Sequence, residues 1–295
     1  MTLLDGKQIA NEIKTEIATE VKSLVDNGQD TPHLAAVIVG EDNAAKTYIN
    51  SIERTCKEVG FISSIYQCPE KVTEEELLGI LDFLNQDSEV DGYIIQMPLP
   101  KHLSSKRIIE RINPDKDVDC MHPSNIGKLV TGDTLFIPAT PLGTIELIKR
   151  SHIETEGKHC VVLGRSAIVG KPLALLLAEK SATGNATVTI CHSKTKNLKE
   201  VCAQADILLV AIGQAEMIDA EYVKEGATVI DIGIHRVDDS TREKGYRICG
   251  DVQFDEVSKK AAYITPVPGG IGQMTMASLL LNTFKAYKHK RTQTT

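Results

Sequence analysis

The residues with the clearest chemical implication are Gly164-Arg165-Ser166-Ala167-Ile168-Val169-Gly170-Lys171-Pro172, a turn between the apolar run HCVVL and a helical pattern with proline near its first turn. Glycines at 164 and 170 let the backbone approach a pyrophosphate, whose charge the N-terminus of the following helix favours. The spacing departs from G-x-G-x-x-G, and a bare glycine pair is equally a plain strand-to-helix turn; its place at the head of a βαβ series is what points to a dinucleotide. The next strand, TVTICHSKT, ends in His192-Ser193-Lys194-Thr195 where an NAD site usually places Asp or Glu for the ribose 2′-hydroxyl. With Arg165, this hydroxyl and cation suit a 2′-phosphate, so NADP is preferred over NAD. Without the Gly164 turn, Ser193 and Lys194 would read as an ordinary polar loop.

Other chemistries find little support. The seven cysteines are scattered, with no Cys-x-x-Cys pair, and the eight histidines form no His-x-x-x-His pair, so neither a disulfide framework nor a metal site is expected. A formal charge of −7, no Trp and 4% aromatic residues argue against a nucleic-acid partner. The start MTLLDGKQIANEIKTEI has acidic residues and no continuous apolar core, unlike a secretory signal or transit peptide. No apolar run approaches the ~20 residues needed to span a bilayer. A soluble, cytoplasmic protein without a membrane partner is expected.

The length of 295 residues allows two domains. Ile9, Ile13, Ile17, Val21 and Leu24 make one helical stripe, followed by strand HLAAVIVG, a helix through Cys56 and Val59, strand FISSIYQC, a capped helix opening at Thr73 and Glu76, and strand DGYIIQMPLP. The second series has strands HCVVLG, ATVTICH, ADILLVAIG and ATVIDIGI, with helices near 171–180 and 198–205, and QMTMASLLLNTFKAYKHK forms a last helix. The fold class is α/β: two α/β lobes, the second a Rossmann-type doubly wound parallel sheet, with a cleft between them.

Several stretches together resemble the tetrahydrofolate dehydrogenase/cyclohydrolase family: Val39-Gly40 with the Tyr48 helix, IIQMPLP, DKDVD, PATPLG, VVLGRSAIVGKP, TVTICHSKT, DIGIHR, GDV and TPVPGGIGQMT, in family order. The resemblance implies oxidation of 5,10-methylenetetrahydrofolate with NAD(P) and hydrolysis of the methenyl product to 10-formyltetrahydrofolate, in the one-carbon metabolism that serves purine biosynthesis. It also implies a homodimer. On the same resemblance a folate-binding catalytic domain is expected over 1–147, rejoined by the C-terminal helix 273–295, and an NADP-binding domain over 148–272.

Carried over by residue, Tyr48 borders the pterin and aminobenzoate, Gln96 hydrogen-bonds near the reacting carbon with Ile95 and Met97 beside it, and Asp119 receives pterin nitrogens. Pro268, Gly269, Gly270, Ile271 and Gly272 wrap the folate, and Gly164, Arg165, Ser166, Ser193 and Ile234 hold NADP. By sequence position alone, Gln96 and Asp119 equally fit capping or loop roles, and Tyr48 a core role.

The family's Tyr-x-x-x-Lys reads here as Tyr48-Ile49-Asn50-Ser51-Ile52. Residues four apart share a helix face, so Ile52 takes the lysine's place. Ala45, Cys120, Ala139 and Gln273 also replace family-typical serine, glycine, cysteine and proline. The lysine would position water on the methenyl carbon and exchange its proton; isoleucine can do neither, so hydrolysis is expected to be weak or lost. Hydride transfer relies mainly on alignment and survives on this reading. On periodicity alone, Tyr48, Ile52, Cys56 and Val59 form an apolar stripe and Ile52 is simply core. The competing functions are a folate- or NADP-binding protein with little turnover and a regulatory role, and a Rossmann dehydrogenase for another small substrate.

Overall fold

The computed structural model describes residues 1–40 and 43–292, those at 43–48 by backbone alone. Eleven strands occur among them: β1 (Thr2–Leu3), β2 (His33–Val39), β3 (Ile62–Cys68), β4 (Gly92–Ile95), β5 (His159–Leu163), β6 (Thr187–Cys191), β7 (Ile207–Val210), β8 (Thr228–Asp231), β9 (His235–Asp238), β10 (Tyr246–Cys249) and β11 (Tyr263–Ile264). The chain divides into two compact units, Met1–Ala10 with Thr140–Thr275, and Asn11–Ala139 with Met276–Thr295.

In the first unit an all-parallel sheet has the order β1-β11-β8-β7-β5-β6. The chain leaves β5 for β6 on one side and returns to β7 on the other. The carboxyl ends of β5 and β7 therefore flank a topological switch point, where open α/β sheets leave a crevice for ligands. Strands β7 and β8 are wholly buried, which explains their unbroken aliphatic sequence, and Val161, Leu163, Leu208, Val210, Val229 and Ile264 belong to one core. An antiparallel pair, β9 and β10, stands apart from this sheet. The resemblance places residues 1–147 in one domain, yet β1 pairs with β11 at the edge of the six-stranded sheet. A two-residue strand is too short to show any periodicity, so its partner is unreadable in advance.

The second unit has a three-stranded parallel sheet, β3-β2-β4. Ala35, Val37, Tyr93 and Ile95 pack with Leu77, Leu81 and Leu84 of helix Glu74–Gln86. That helix starts with the expected reciprocal cap: the Thr73 hydroxyl accepts from the Glu76 N–H at 3.2 Å, and the Glu76 carboxylate accepts from the Thr73 N–H at 2.8 Å. Within it Gly79 is exposed, and an added methyl group would meet nothing within 4 Å. Gly79→Ala is therefore expected to stabilise the protein by about 0.5–1 kcal/mol, the backbone entropy glycine loses in a helix, read as a raised urea midpoint with unchanged slope.

All seven cysteines are buried and unpaired. Burial, with Glu53 adding a smaller push, raises the Cys56 thiol to about 12. Among the described residues no helix is long and apolar enough to cross a membrane.

Candidate active site

The glycine turn sits at the switch point of the first unit. Gly164 follows β5 with φ +136°, and a Cβ there would lie 2.3 Å from the carbonyl oxygen of Ala211, which follows β7. A Cβ on Gly170 would lie 2.2 Å from the Gly164 carbonyl oxygen. The two glycines thus let strand ends and turn close on one another, which is why the chain uses them here. The Ser166 hydroxyl accepts from the N–H groups of Val169 and Gly170 at 3.1 and 3.3 Å, where the helix Gly170–Ala178 begins. Arg165 and Ser166 are exposed beside this helix start.

The loop after β6 is held by its own side chains. Thr195 Oγ1 accepts from the His192 N–H at 2.9 Å, and His192 Nδ1 accepts from the Lys194 N–H at 3.1 Å. Ser193 and Lys194 remain exposed, with no carboxylate at this strand end to repel a 2′-phosphate. Ile234, between β8 and β9, is 65% exposed. A glycine cradle, a helix N-terminus and an exposed hydroxyl and cation fit a phosphorylated dinucleotide.

The segment Pro266–Gly270 packs against the chain start in the same unit. The Lys7 N–H donates to the Gly269 carbonyl at 3.0 Å, and a Cβ on Gly6 would lie 2.3 Å from the Gly270 oxygen. Gly269 has φ +115°, and the helix Ile271–Thr292 begins immediately after this loop.

In the second unit the DKDVD stretch runs beside β4. A parallel bridge pairs Tyr93 with Asp117, so Ile95-Gln96-Met97 and Asp119 follow in the same direction along adjacent chains. A Cβ on Gly92 would lie 2.2 Å from a Val118 methyl, so this approach needs glycine. Each charged residue of the stretch has a distinct task. Lys116 is nearly buried and donates to the carbonyls of Leu84, at 2.7 Å, and Asp87, closing the end of helix Glu74–Gln86. Asp117 accepts from the N–H groups of Met121 and His122, at 3.0 and 2.8 Å, and from Asn125 Nδ2 at 2.8 Å.

Asp119 differs from both. Its half-buried carboxyl has no hydrogen-bond partner among the described residues, and desolvation, with a smaller push from Asp117, raises it to about 7. Cys120 has a left-handed backbone at φ 56° and directs its buried thiol to the Phe136 carbonyl at 3.3 Å. The turn beyond Asp119 therefore retains the shape a glycine would give it, at a conformational cost of about 1–2 kcal/mol.

Gln96 is half-buried; its Nε2 donates to the Met97 carbonyl at 2.9 Å, and no basic side chain among the described residues bonds to it. Ile52 lies on the helix Asn43–Val59, which packs on β2 and β3, and is 1% exposed in a buried row with Ile49, Cys56 and Val59. The side chains of Ala45 and Tyr48 lie outside the described residues, so only their place on this helix is defined. Gln96, Asp119 and Ile52 thus belong to the second unit, whereas Pro268–Gly270 and the turn at Gly164 belong to the first.

Asn282 was not among the residues singled out from sequence. From the last helix its Nδ2 donates to the carbonyls of Val118 and Ile137, both at 2.8 Å, fixing the chain beside Asp119. A polar residue inside the apolar run LLLNTF was the only cue.

The parallel sheet with its glycine cradle at the switch point defines a dinucleotide-binding α/β protein. Residues 4–119 match the tetrahydrofolate dehydrogenase/cyclohydrolase catalytic domain, and residues 138–291 match the NAD(P)-binding domain of the same family. The chain belongs to the tetrahydrofolate dehydrogenase/cyclohydrolase family. It is 53% identical to the bifunctional protein FolD of Cytophaga hutchinsonii over 286 residues, covering 97% of this chain and 99% of the relative. Among solved structures, the bifunctional FolD enzyme from Campylobacter jejuni is 44% identical with a TM-score of 0.91, covering 98% of this chain and 99% of that one. The Trypanosoma brucei methylenetetrahydrofolate dehydrogenase-cyclohydrolase, solved with NADP cofactor and inhibitor, is 36% identical with a TM-score of 0.92, covering 98% of each chain.

Proposed function

We propose that this chain oxidises 5,10-methylenetetrahydrofolate to the 5,10-methenyl compound with NADP, and that it hydrolyses the methenyl compound to 10-formyltetrahydrofolate weakly or not at all. The first half rests on the family, together with the cradle at Gly164 and the cationic, carboxylate-free loop at Ser193. The second rests on one observation: Ile52, at the family's lysine position, is 1% exposed in an apolar row.

On this reading Gly164, Ser166 and the start of helix Gly170–Ala178 receive the pyrophosphate, Arg165, Ser193 and Lys194 receive the 2′-phosphate, and Ile234 borders the cofactor. NADP held by these residues would supply the hydride acceptor for the methylene carbon. Asp119 presents a carboxyl with unused hydrogen-bonding capacity to the pterin nitrogens. Gln96 offers an amide beside the reacting carbon, with Ile95, Met97 and Tyr48 framing the ring. The resemblance assigns Pro268 to Gly272 a folate-binding role through their backbone groups. Ile52 holds no proton and orients no water, so this position lacks the group that general acid–base help to ring opening requires.

The changed residues on the folate side favour a second reading, a folate- and NADP-binding protein without turnover. Against it, Cys120 keeps the left-handed turn next to Asp119. Incubating the protein with methylenetetrahydrofolate and NADP separates the two: NADPH should form. Calorimetric binding of both ligands without NADPH would select the second reading, and no binding would reject both.

Asp119→Asn tests the carboxyl directly. A charged hydrogen bond to substrate is worth about 1.5–3 kcal/mol, so kcat/KM for the folate should fall by about 10–100-fold. Stability should move the other way. The folded carboxyl, raised to about 7, binds more protons than the unfolded one between about pH 4 and pH 7, so its ionisation costs stability as pH rises through that window. Asn removes that cost, and the ligand-free variant should melt higher than the parent at pH 8 and equally at pH 4.

A further inference from the structure

Two carboxylates in the first unit lie outside every role assigned above, yet both are almost completely withdrawn from solvent: Asp231 at the end of β8 is 3% exposed, and Asp251, shortly after β10, is 0% exposed. Burying such groups is costly unless the carboxylate is fully hydrogen-bonded. Asp251 is. Its Oδ2 accepts from the N–H groups of Ile212 and Gly213 at 2.7 and 3.1 Å, and its Oδ1 accepts from the Gln214 N–H at 2.8 Å and lies 2.7 Å from His235 Nε2.

The bonded partners come from two loops. Ile212–Gln214 directly follows β7, on the switch-point side of the sheet and next to Ala211, against which Gly164 packs. His235 follows Ile234 at the entrance to β9. A single side chain therefore ties the loop after β7 to the loop after β8.

The tie is itself anchored. Asp231 accepts from the N–H groups of Gly233, Asp251 and Val252 at 2.9, 3.0 and 2.9 Å, so it holds both the chain before Ile234 and the backbone that carries Asp251. Both carboxylates need neighbours without side chains. A Cβ on Gly233 would lie 2.5 Å from Asp251 Cγ, and one on Gly250 would lie 1.9 Å from Asp231 Oδ2. Glycine at these two positions thus follows from the carboxylates.

We infer that Asp251 is a positioning residue for the cofactor: through Ile212–Gln214 and His235 it sets the two loops bordering the switch-point crevice in their binding shape before any ligand arrives. This deepens the reading of the unit as an NADP site and rests on it. Order imposed in advance spares the ligand the cost of ordering loops on binding. Every group that bonds to the Asp251 carboxylate belongs to the first unit, so its influence falls on cofactor affinity.

Asp251→Asn removes the charge and replaces one of the two accepting oxygens with an amide donor that faces N–H groups. The expected result is a rise in the NADP dissociation constant of about tenfold or more, equivalent to about 1.4 kcal/mol, with the KM for folate unchanged within about threefold. In the ligand-free variant, amide hydrogen exchange at Gly213 and Gln214 should accelerate, while exchange in the strands β5 and β7 does not. His235→Gln, which keeps an N–H donor, should retain most of the affinity that His235→Phe loses.

Calorimetry on the parent keeps the two levels apart. If the parent binds no NADP, the cofactor reading fails. If the parent binds and Asp251→Asn binds equally well, with unchanged exchange at 213 and 214, the positioning role is overturned. Reduced thermal stability of Asp251→Asn with unaltered NADP affinity overturns it too, since a merely structural carboxylate would behave that way.

Discussion

Gly164→Ala should abolish measurable NADP binding, a loss of at least about 10²-fold, while leaving the folate-side unit folded. The added methyl group would sit 2.3 Å from the Ala211 carbonyl oxygen, a backbone atom that no rotamer can move aside, and φ of +136° is itself unfavourable for alanine. Relief requires the turn to separate from the end of β7, which opens the crevice where the pyrophosphate would sit. Moving the turn also withdraws the Gly164 carbonyl from Gly170, so the helix start shifts with it. A few kilocalories per mole of strain corresponds to the predicted loss of affinity. Calorimetric titration checks it, with Gly79→Ala as the comparison because that site is open. Alanine at 164 with parental NADP affinity would show that the pyrophosphate binds elsewhere.

Ile52→Lys should raise methenyltetrahydrofolate hydrolysis by about 10²-fold or more, within the range of about 10²–10⁴ that general acid–base groups contribute. The helix Asn43–Val59 already places this position in a row with Ile49, Cys56 and Val59, so the new ammonium starts from a buried site. Burial there lowers a lysine's pKa, which helps it exchange protons near neutrality, and also costs stability, by about 1–3 kcal/mol. The variant should therefore melt below the parent while hydrolysing faster. Ile52→Met supplies the needed contrast: similar bulk, no proton, and no gain in hydrolysis. Dehydrogenase turnover should change far less than hydrolysis in either variant, because hydride transfer depends on alignment.

Much of the molecule was legible because its physical causes are local. Strands buried on both faces must be written in aliphatic residues, and HCVVL, ILLV and TVID are; the Thr73–Glu76 cap encloses its own two hydrogen bonds within four residues. The turn at Gly164 was legible for the same reason, since a positive φ and a close backbone contact leave glycine as the only residue without strain. Contacts between distant segments were not. Residues 2–3 carry no sign that they will pair beside β11, and the β9–β10 hairpin mixes charged and apolar residues without a strand period, as many loops do.

The same limit applies at the site. DKDVD reads as one acidic motif, but folding gives Lys116 to a helix end, Asp117 to a turn, and leaves Asp119 alone with its carboxyl raised. Nothing in the letters distinguishes these three fates. Asp231, Asp251 and Asn282 were passed over because composition treats Asp and Asn as surface residues, whereas here Asp231 is 3% exposed and Asp251 and Asn282 are fully buried. For Asp231 and Asp251 the stretches DIGIHR and GDV carry a further trace, the glycines at 233 and 250, whose necessity is evident only once the carboxylates are seen beside them.

The most direct measurement follows NADPH and methenyltetrahydrofolate together when the purified parent protein is given methylenetetrahydrofolate and NADP. Methenyltetrahydrofolate should accumulate mole for mole with NADPH, decaying no faster than it does without protein. Formation of 10-formyltetrahydrofolate in step with NADPH, at a rate equal to that of Ile52→Lys, would contradict the proposal that ring opening is lost at Ile52.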